Sequence, residues 1–176
     1  MVEQARWVTR TFEFNHPIGV FPCILERFRG TPARLEETVR GLSSSILTTR
    51  VNGGWSIQEH AGHLWDLEEL GEQRLKEFLS HAPALKAADM QNRRTYEANH
   101  NAKPIEIILA GLRSTREELV KKLDQVDETA VASSSIHPRL NKPMRVIDWV
   151  YFMAEHDDHH LARITQLKRI LTESEK

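Results

Sequence analysis

A chain of 176 residues has the length of one ordinary domain and can close a single core on itself, so residues 1–176 are read as one domain. At 40% hydrophobic and 28% charged residues the composition is globular, and no apolar run nears the roughly 18 residues of a membrane span, so a membrane partner is excluded. Twenty-four basic against twenty-five acidic residues leave a net charge of -1 and no positive field to gather phosphate backbones, which argues against nucleic acid.

Along the chain, residues 1–30 read as an N-terminal extension. Glu3, Gln4, Arg6 and Arg10 interrupt its apolar residues, so no export signal is expected. The lone Cys23 cannot form an internal disulfide, which suits a reducing, cytoplasmic location. Pro17, Gly19, Pro22 and Gly30 break any long helix, Thr11 to Phe14 alternate as an extended lead-in, and Phe21, Ile24, Leu25 and Phe28 suggest one short helix.

The bundle proper is expected over 31–172. Thr31-Pro32 has the form of a helix start, a hydroxyl to cap free amides followed by a proline that sacrifices no hydrogen bond. The second helix follows Asn52-Gly53-Gly54, opens with the capping-box spacing of Ser56 and Glu59, and is predicted over about 56–80. A polar connection with some helical character spans 84–103. The third helix starts at Pro104 and carries Ile105, Ile108, Leu109, Leu112, Leu119 and Leu123 at intervals of three and four. Residues 129–142 read as a loop, and the last helix is predicted over about 143–172 on the stripe of Val146, Trp149, Val150, Met153, Ile164, Leu167 and Leu171. Four amphipathic helices with no convincing strand predict an all-α four-helix bundle with an extended N-terminal lead-in and long connecting loops.

The chemistry is concentrated in histidine. His156 and His160 stand four residues apart on the buried stripe of the last helix, which stacks them on one face at a spacing that can chelate one ion. Two buried imidazoles need compensation, since an unsatisfied buried polar group costs on the order of 1 to 3 kcal/mol. A divalent cation supplies it, with a third ligand from another helix. Helix two offers His60 and His63; its stripe leans slightly towards His60, and periodicity leaves both open. Asp66, one turn beyond His63, is placed to orient an imidazole through its other N–H or to be a solvated helix charge. His159 points away from His160 and reads as a surface or edge residue. His16, His81, His100 and His137 receive no site role.

The segments Trp55-Ser56-Ile57, Gly62-His63-Leu64 and Asp66-Leu67-Glu68, with the closing His156-Asp157-Asp158-His159-His160-Leu161, resemble the DinB/YfiT-like superfamily from Thr31 to Leu171. The resemblance implies a four-helix bundle whose metal is held by one histidine of helix two and two of the last helix, here His63, His156 and His160. It implies one divalent metal per chain, zinc or nickel foremost, with iron or manganese also compatible with such ligands. Members usually carry an apolar residue where His60 stands, so His60 is an expected pocket residue beside Asp66 and Glu59.

For activity the resemblance covers more than one reaction and implies a metal-dependent enzyme acting on a small molecule, such as a low-molecular-weight thiol S-transferase. The alternatives are a metal-dependent hydrolase or a non-catalytic metal- or ligand-binding bundle. Glu59, Asp66, Glu155 and Asp157 are the candidate proton acceptors. A homodimer is the family's common assembly.

Overall fold

The computed structural model describes residues 2–173. Its helices are α1 (Phe21–Arg29), α2 (Thr31–Val39), α3 (Ser44–Thr48), α4 (Ile57–Asp66), α5 (Glu68–Leu79), α6 (Arg93–Glu97), α7 (Ile105–Leu123), α8 (Glu128–Ala132) and α9 (Val146–Glu173). The four arms of the bundle are α1 with α2, α4 with α5, α7, and α9, each packed on its neighbours, so the all-α bundle read from periodicity is the fold observed. Among the described residues no helix is long and apolar enough to cross a membrane.

The first arm bends at Thr31-Pro32. Proline lacks the N–H that would bond the carbonyl of Phe28 one turn earlier, and that carbonyl instead accepts from Arg116 Nη1 at 2.7 Å. Thr31 was expected to cap α2, but Gly30 occupies the cap position, and the buried Thr31 hydroxyl donates to Asp157 at 2.7 Å. The second half of the N-terminal extension is core: Phe21, Leu25 and Phe28 are buried. The second arm opens on the expected reciprocal capping box of Ser56 and Glu59 and is interrupted only at Leu67, so the helix predicted over 56–80 is present in two pieces.

Apolar side chains fall into two clusters along the bundle. One gathers Phe21, Leu25 and Phe28 with Leu75, Leu119 and Trp149; the other gathers Leu35, Leu64, Leu112 and Ile164 with their neighbours. Between them each arm contributes one buried polar residue: Thr31, Glu68, Arg116 and Asp157. Arg116 bonds Glu68 at 2.7 Å and Asp157 at 2.7 Å, and its guanidinium lies 3.6 Å from the Phe28 ring centroid. Burial pushes the Glu68 carboxyl up against the pull of Arg116.

The 129–142 loop expectation needs correction. Those residues form α8 and most of an antiparallel hairpin, β1 (Ser134–His137) paired to β2 (Lys142–Arg145), and α9 therefore starts at Val146 rather than at 143. Periodicity could not find β1 because its buried positions are Ser135 and His137 while Ile136 is exposed, the reverse of a hydrophobic alternation. Ile136 also bonds the segment after α5, through Pro83 and Leu85, which ties the hairpin to the second arm.

Candidate metal centre

The i, i+4 pair on α9 meets α4 at mid-bundle. His156 Nε2 and His160 Nε2 lie 3.2 Å apart, and the ring of His63 stands 5.4 Å and 4.8 Å from those of His156 and His160. One ligand nitrogen from each of the three falls within 4.8 Å of the others, and all three residues are buried. Two nitrogens bonded to one ion at about 2.1 Å stand roughly 3.0 to 3.4 Å apart for octahedral to tetrahedral angles, so the α9 pair is already spaced for a shared cation.

Electrostatics keep the donors neutral. Burial, then the neighbouring His63, push His60 down to about 3; burial also takes His63 down to about 4 although Asp66 pulls the other way. His156 and His160 are held well below the ordinary histidine value by burial and by the other imidazoles. A neutral imidazole is the form that binds metal. The Nδ1 of His156 is buried without a hydrogen-bond partner.

The other expected site residues divide. His60 does belong to the cluster: its Nδ1 lies 2.8 Å from Nδ1 of His160, and one proton must sit between them. If His160 coordinates through Nε2, that proton is its own and His60 accepts it, which fixes the His160 ring. Asp66 reaches His63 only through a residue the sequence reading missed. Thr95 Oγ1 donates to Asp66 Oδ2 at 2.8 Å and, having one hydrogen, must accept from Nδ1 of His63 at 3.0 Å. His63 is thereby left with Nε2 as its lone-pair nitrogen. Burial alone would raise the Asp66 carboxyl, but hydrogen bonds from His100 and Thr95, with Arg94 nearby, hold it below the usual carboxylate range.

Glu59, expected as a pocket residue, accepts from the Ser56 amide at 2.9 Å and from Arg50, so the helix cap and an ion pair account for its carboxylate. Of the four proposed proton acceptors, Glu155 is bound by Arg10 and Arg27, and Asp157 by Arg116 and Thr31. None of Glu59, Asp66, Glu155 and Asp157 lines the cavity that opens on the histidines.

That cavity has a volume of about 420 Å³, within the usual range for small-molecule sites, and His63, His156 and His160 form part of its wall. Trp55 packs on His63 at 4.8 Å, and Trp7, from the N-terminal lead-in, packs edge-on against His156 at 4.9 Å. His159, expected at the surface or edge, is half-buried on the cavity wall beside Trp7, with Gln4 donating to its Nδ1 at 3.0 Å. His100 and His137, given no role from sequence, are both buried near the site: His100 donates to Asp66 at 2.8 Å, and His137 lines the cavity.

Residues 27–164 match the family model described as the DinB superfamily. The chain belongs to the DinB superfamily. It is 31% identical over 133 residues to a protein of Oceanobacillus iheyensis named "Putative metal-dependent hydrolase OB0413", a match covering 74% of this chain and 75% of that protein. It is 26% identical over 153 residues to "Uncharacterized protein YuaE" of Bacillus subtilis, covering 77% of this chain and 93% of YuaE. Among solved structures it resembles YfiT from Bacillus subtilis, described as "a probable metal-dependent hydrolase with an unusual four-helix bundle topology". The TM-score is 0.82 with 20% identity, over 93% of this chain and 94% of YfiT, a likeness that speaks to the DinB-type fold alone. In this DinB chain, His63, His156 and His160 form a candidate tri-histidine metal-binding site.

Proposed function

We propose that this chain is a metal-dependent hydrolase acting on a small ester or amide. The observation that carries the reading is the convergence of three neutral, buried imidazoles on the wall of an otherwise largely apolar cavity. Three histidines are one donor short of a closed four-coordinate site, the arrangement of catalytic rather than structural zinc centres. The name of the Oceanobacillus iheyensis relative supports hydrolysis over thiol transfer. A divalent cation held by these residues supplies Lewis acidity, activating a water nucleophile and polarising a carbonyl.

The protein's own groups do the rest. The chain from Asp66 through Thr95 fixes the His63 tautomer with Nε2 free, and His60 holds the His160 ring. Trp7, Trp55 and Phe152 wall the substrate space with apolar surface, which strengthens every electrostatic interaction inside it.

The test pairs elemental analysis of protein purified without chelator with turnover of an ester and amide panel. A parallel screen supplies low-molecular-weight thiols with a model electrophile. About one ion per chain and ester turnover that disappears in His160→Ala are expected. Turnover surviving His160→Ala, or a chain free of metal, overturns the mechanism. Thiol-dependent turnover without hydrolysis replaces it with the S-transferase reading.

A further inference from the structure

One wall of the cavity, built by α5 and the hairpin, carries two arginines that have no ion pair among the described residues. Arg74 of α5, His137 at the end of β1 and Arg139 in the hairpin turn all line it. Arg74 donates through Nε and Nη2 to the Lys86 carbonyl, at 3.0 and 2.8 Å. Among the described residues Arg139 hydrogen-bonds the Val8 carbonyl through Nη1 at 3.5 Å, and its Nη2 is buried without a hydrogen-bond partner. His137 Nδ1 accepts from the Leu140 amide at 3.2 Å, which places the ring proton on Nε2, and that N–H is also buried without a partner in a residue only 2% exposed.

The neighbouring carboxylates of the described residues are engaged elsewhere. Among the described residues neither arginine has an ion pair. Glu77, the acidic group that acts on Arg74, accepts from Gln73 and from the Lys86 amide. Asp89, also on the cavity wall, accepts from the Gln91 and Arg93 amides and from Arg93 Nε. Burial takes Arg74 down to about 10 although Glu77 pulls the other way, and burial followed by Arg74 and Arg139 takes His137 down to about 4, so the ring is neutral and presents its Nε2–H as a donor. An orphaned buried donor costs about 1 to 3 kcal/mol, and an uncompensated buried charge costs more. Two orphaned donors, Arg139 Nη2 and His137 Nε2, beside two arginines without an ion pair among the described residues, suit an anionic partner.

We propose that Arg74, His137 and Arg139 form an anion subsite that takes the carboxylate of a small amphipathic ligand. Its apolar body lies against Trp7, Leu70 and Phe152. The guanidinium of Arg139 stands 5.5 Å from the Phe152 ring centroid and 6.0 Å from that of Trp7, so charged and apolar recognition adjoin. A guanidinium fork suits a carboxylate because both are planar and can share two hydrogen bonds. That such a ligand is the substrate rests on the hydrolase reading; that the anion binds does not.

The experiment uses the full chain stripped of metal by chelator, so that the histidines offer no cation to a carboxylate. Calorimetric titration compares 3-phenylpropionate with 3-phenylpropan-1-ol, which share a body and differ in the head group. The carboxylate is expected to bind at least about tenfold tighter, and Arg139→Met to erase that preference while the thermal midpoint is not lowered. Arg74→Met serves as a second variant if the first fails to fold. Equal binding of the two probes, binding of neither, or a preference that survives in the folded variant overturns the subsite. Metal uptake is measured on the same preparation. A chain that takes metal but shows no preference loses only the subsite, and one with the preference but no metal loses only the hydrolase reading.

Discussion

Lowering the pH of the chelator-treated protein from 7.5 to 5 should remove much of its stability. In the unfolded chain each histidine takes up a proton near pH 6.5, whereas burial holds His63 at about 4 and His60 at about 3 in the fold. Between those values the unfolded state binds more protons than the native state. Stability is therefore full above pH 6.5 and is lost as the pH falls towards the folded values. A histidine that stays neutral in the fold loses about 2 kcal/mol between pH 7.5 and 5, which is 1.5 units below 6.5 at about 1.36 kcal/mol each. His60 and His63 then account for about 4 kcal/mol. His137, also held at about 4, adds about 2, and His156 and His160, shifted in the same direction, raise the ceiling to about 10, against a total of about 5 to 15 for a typical protein. Urea unfolding followed by circular dichroism at pH 7.5, 6 and 5 measures the loss. With zinc present the decline should move to lower pH, because only the neutral imidazole coordinates. A chelated protein whose unfolding free energy changes by less than about 1 kcal/mol across this range would refute the neutral cluster.

Thr95→Val should weaken metal binding by about 10- to 100-fold, since it cuts the link between Asp66 and His63 while leaving all three ligands in place. Competition with a chromophoric chelator reads this, and an unchanged affinity would show that the Thr95 contact has no part in orienting His63. Arg116→Met should destabilise the fold by about 3 to 5 kcal/mol, because Glu68 and Asp157 are left buried without their cation. For a chain of this size that lowers the thermal midpoint by roughly 6 to 20 °C, and a shift under about 3 °C would mean that those carboxylates find other partners.

Features carried within one helix were readable in the chain. The capping box of Ser56 and Glu59, the stripes of α7 and α9, and the placement of His156 and His160 on one face each follow from helical spacing, because residues three and four apart are neighbours in any α-helix. The first strand of the hairpin was not readable, since its buried positions are a serine and a histidine whose partners lie just after α5 and on α9.

The ambiguity between His60 and His63 marks the boundary between the two kinds of information. Helical phase tells which side chains of α4 are buried, and both are, at 8% and 5% exposure. It does not tell what stands opposite them. The packing of α4 on α9 decides that, giving His60 a hydrogen bond to His160 and setting His63 within the three-nitrogen cluster. Thr95, Arg74, His137 and Arg139 are likewise brought to the site from three different segments. Sequence alone determined the bundle and the histidine pair, because both arise from local periodicity. The third member of the candidate cluster, its link through Thr95 to Asp66, and the cationic wall were decided by tertiary structure, because each depends on which residues distant in the chain meet across the fold.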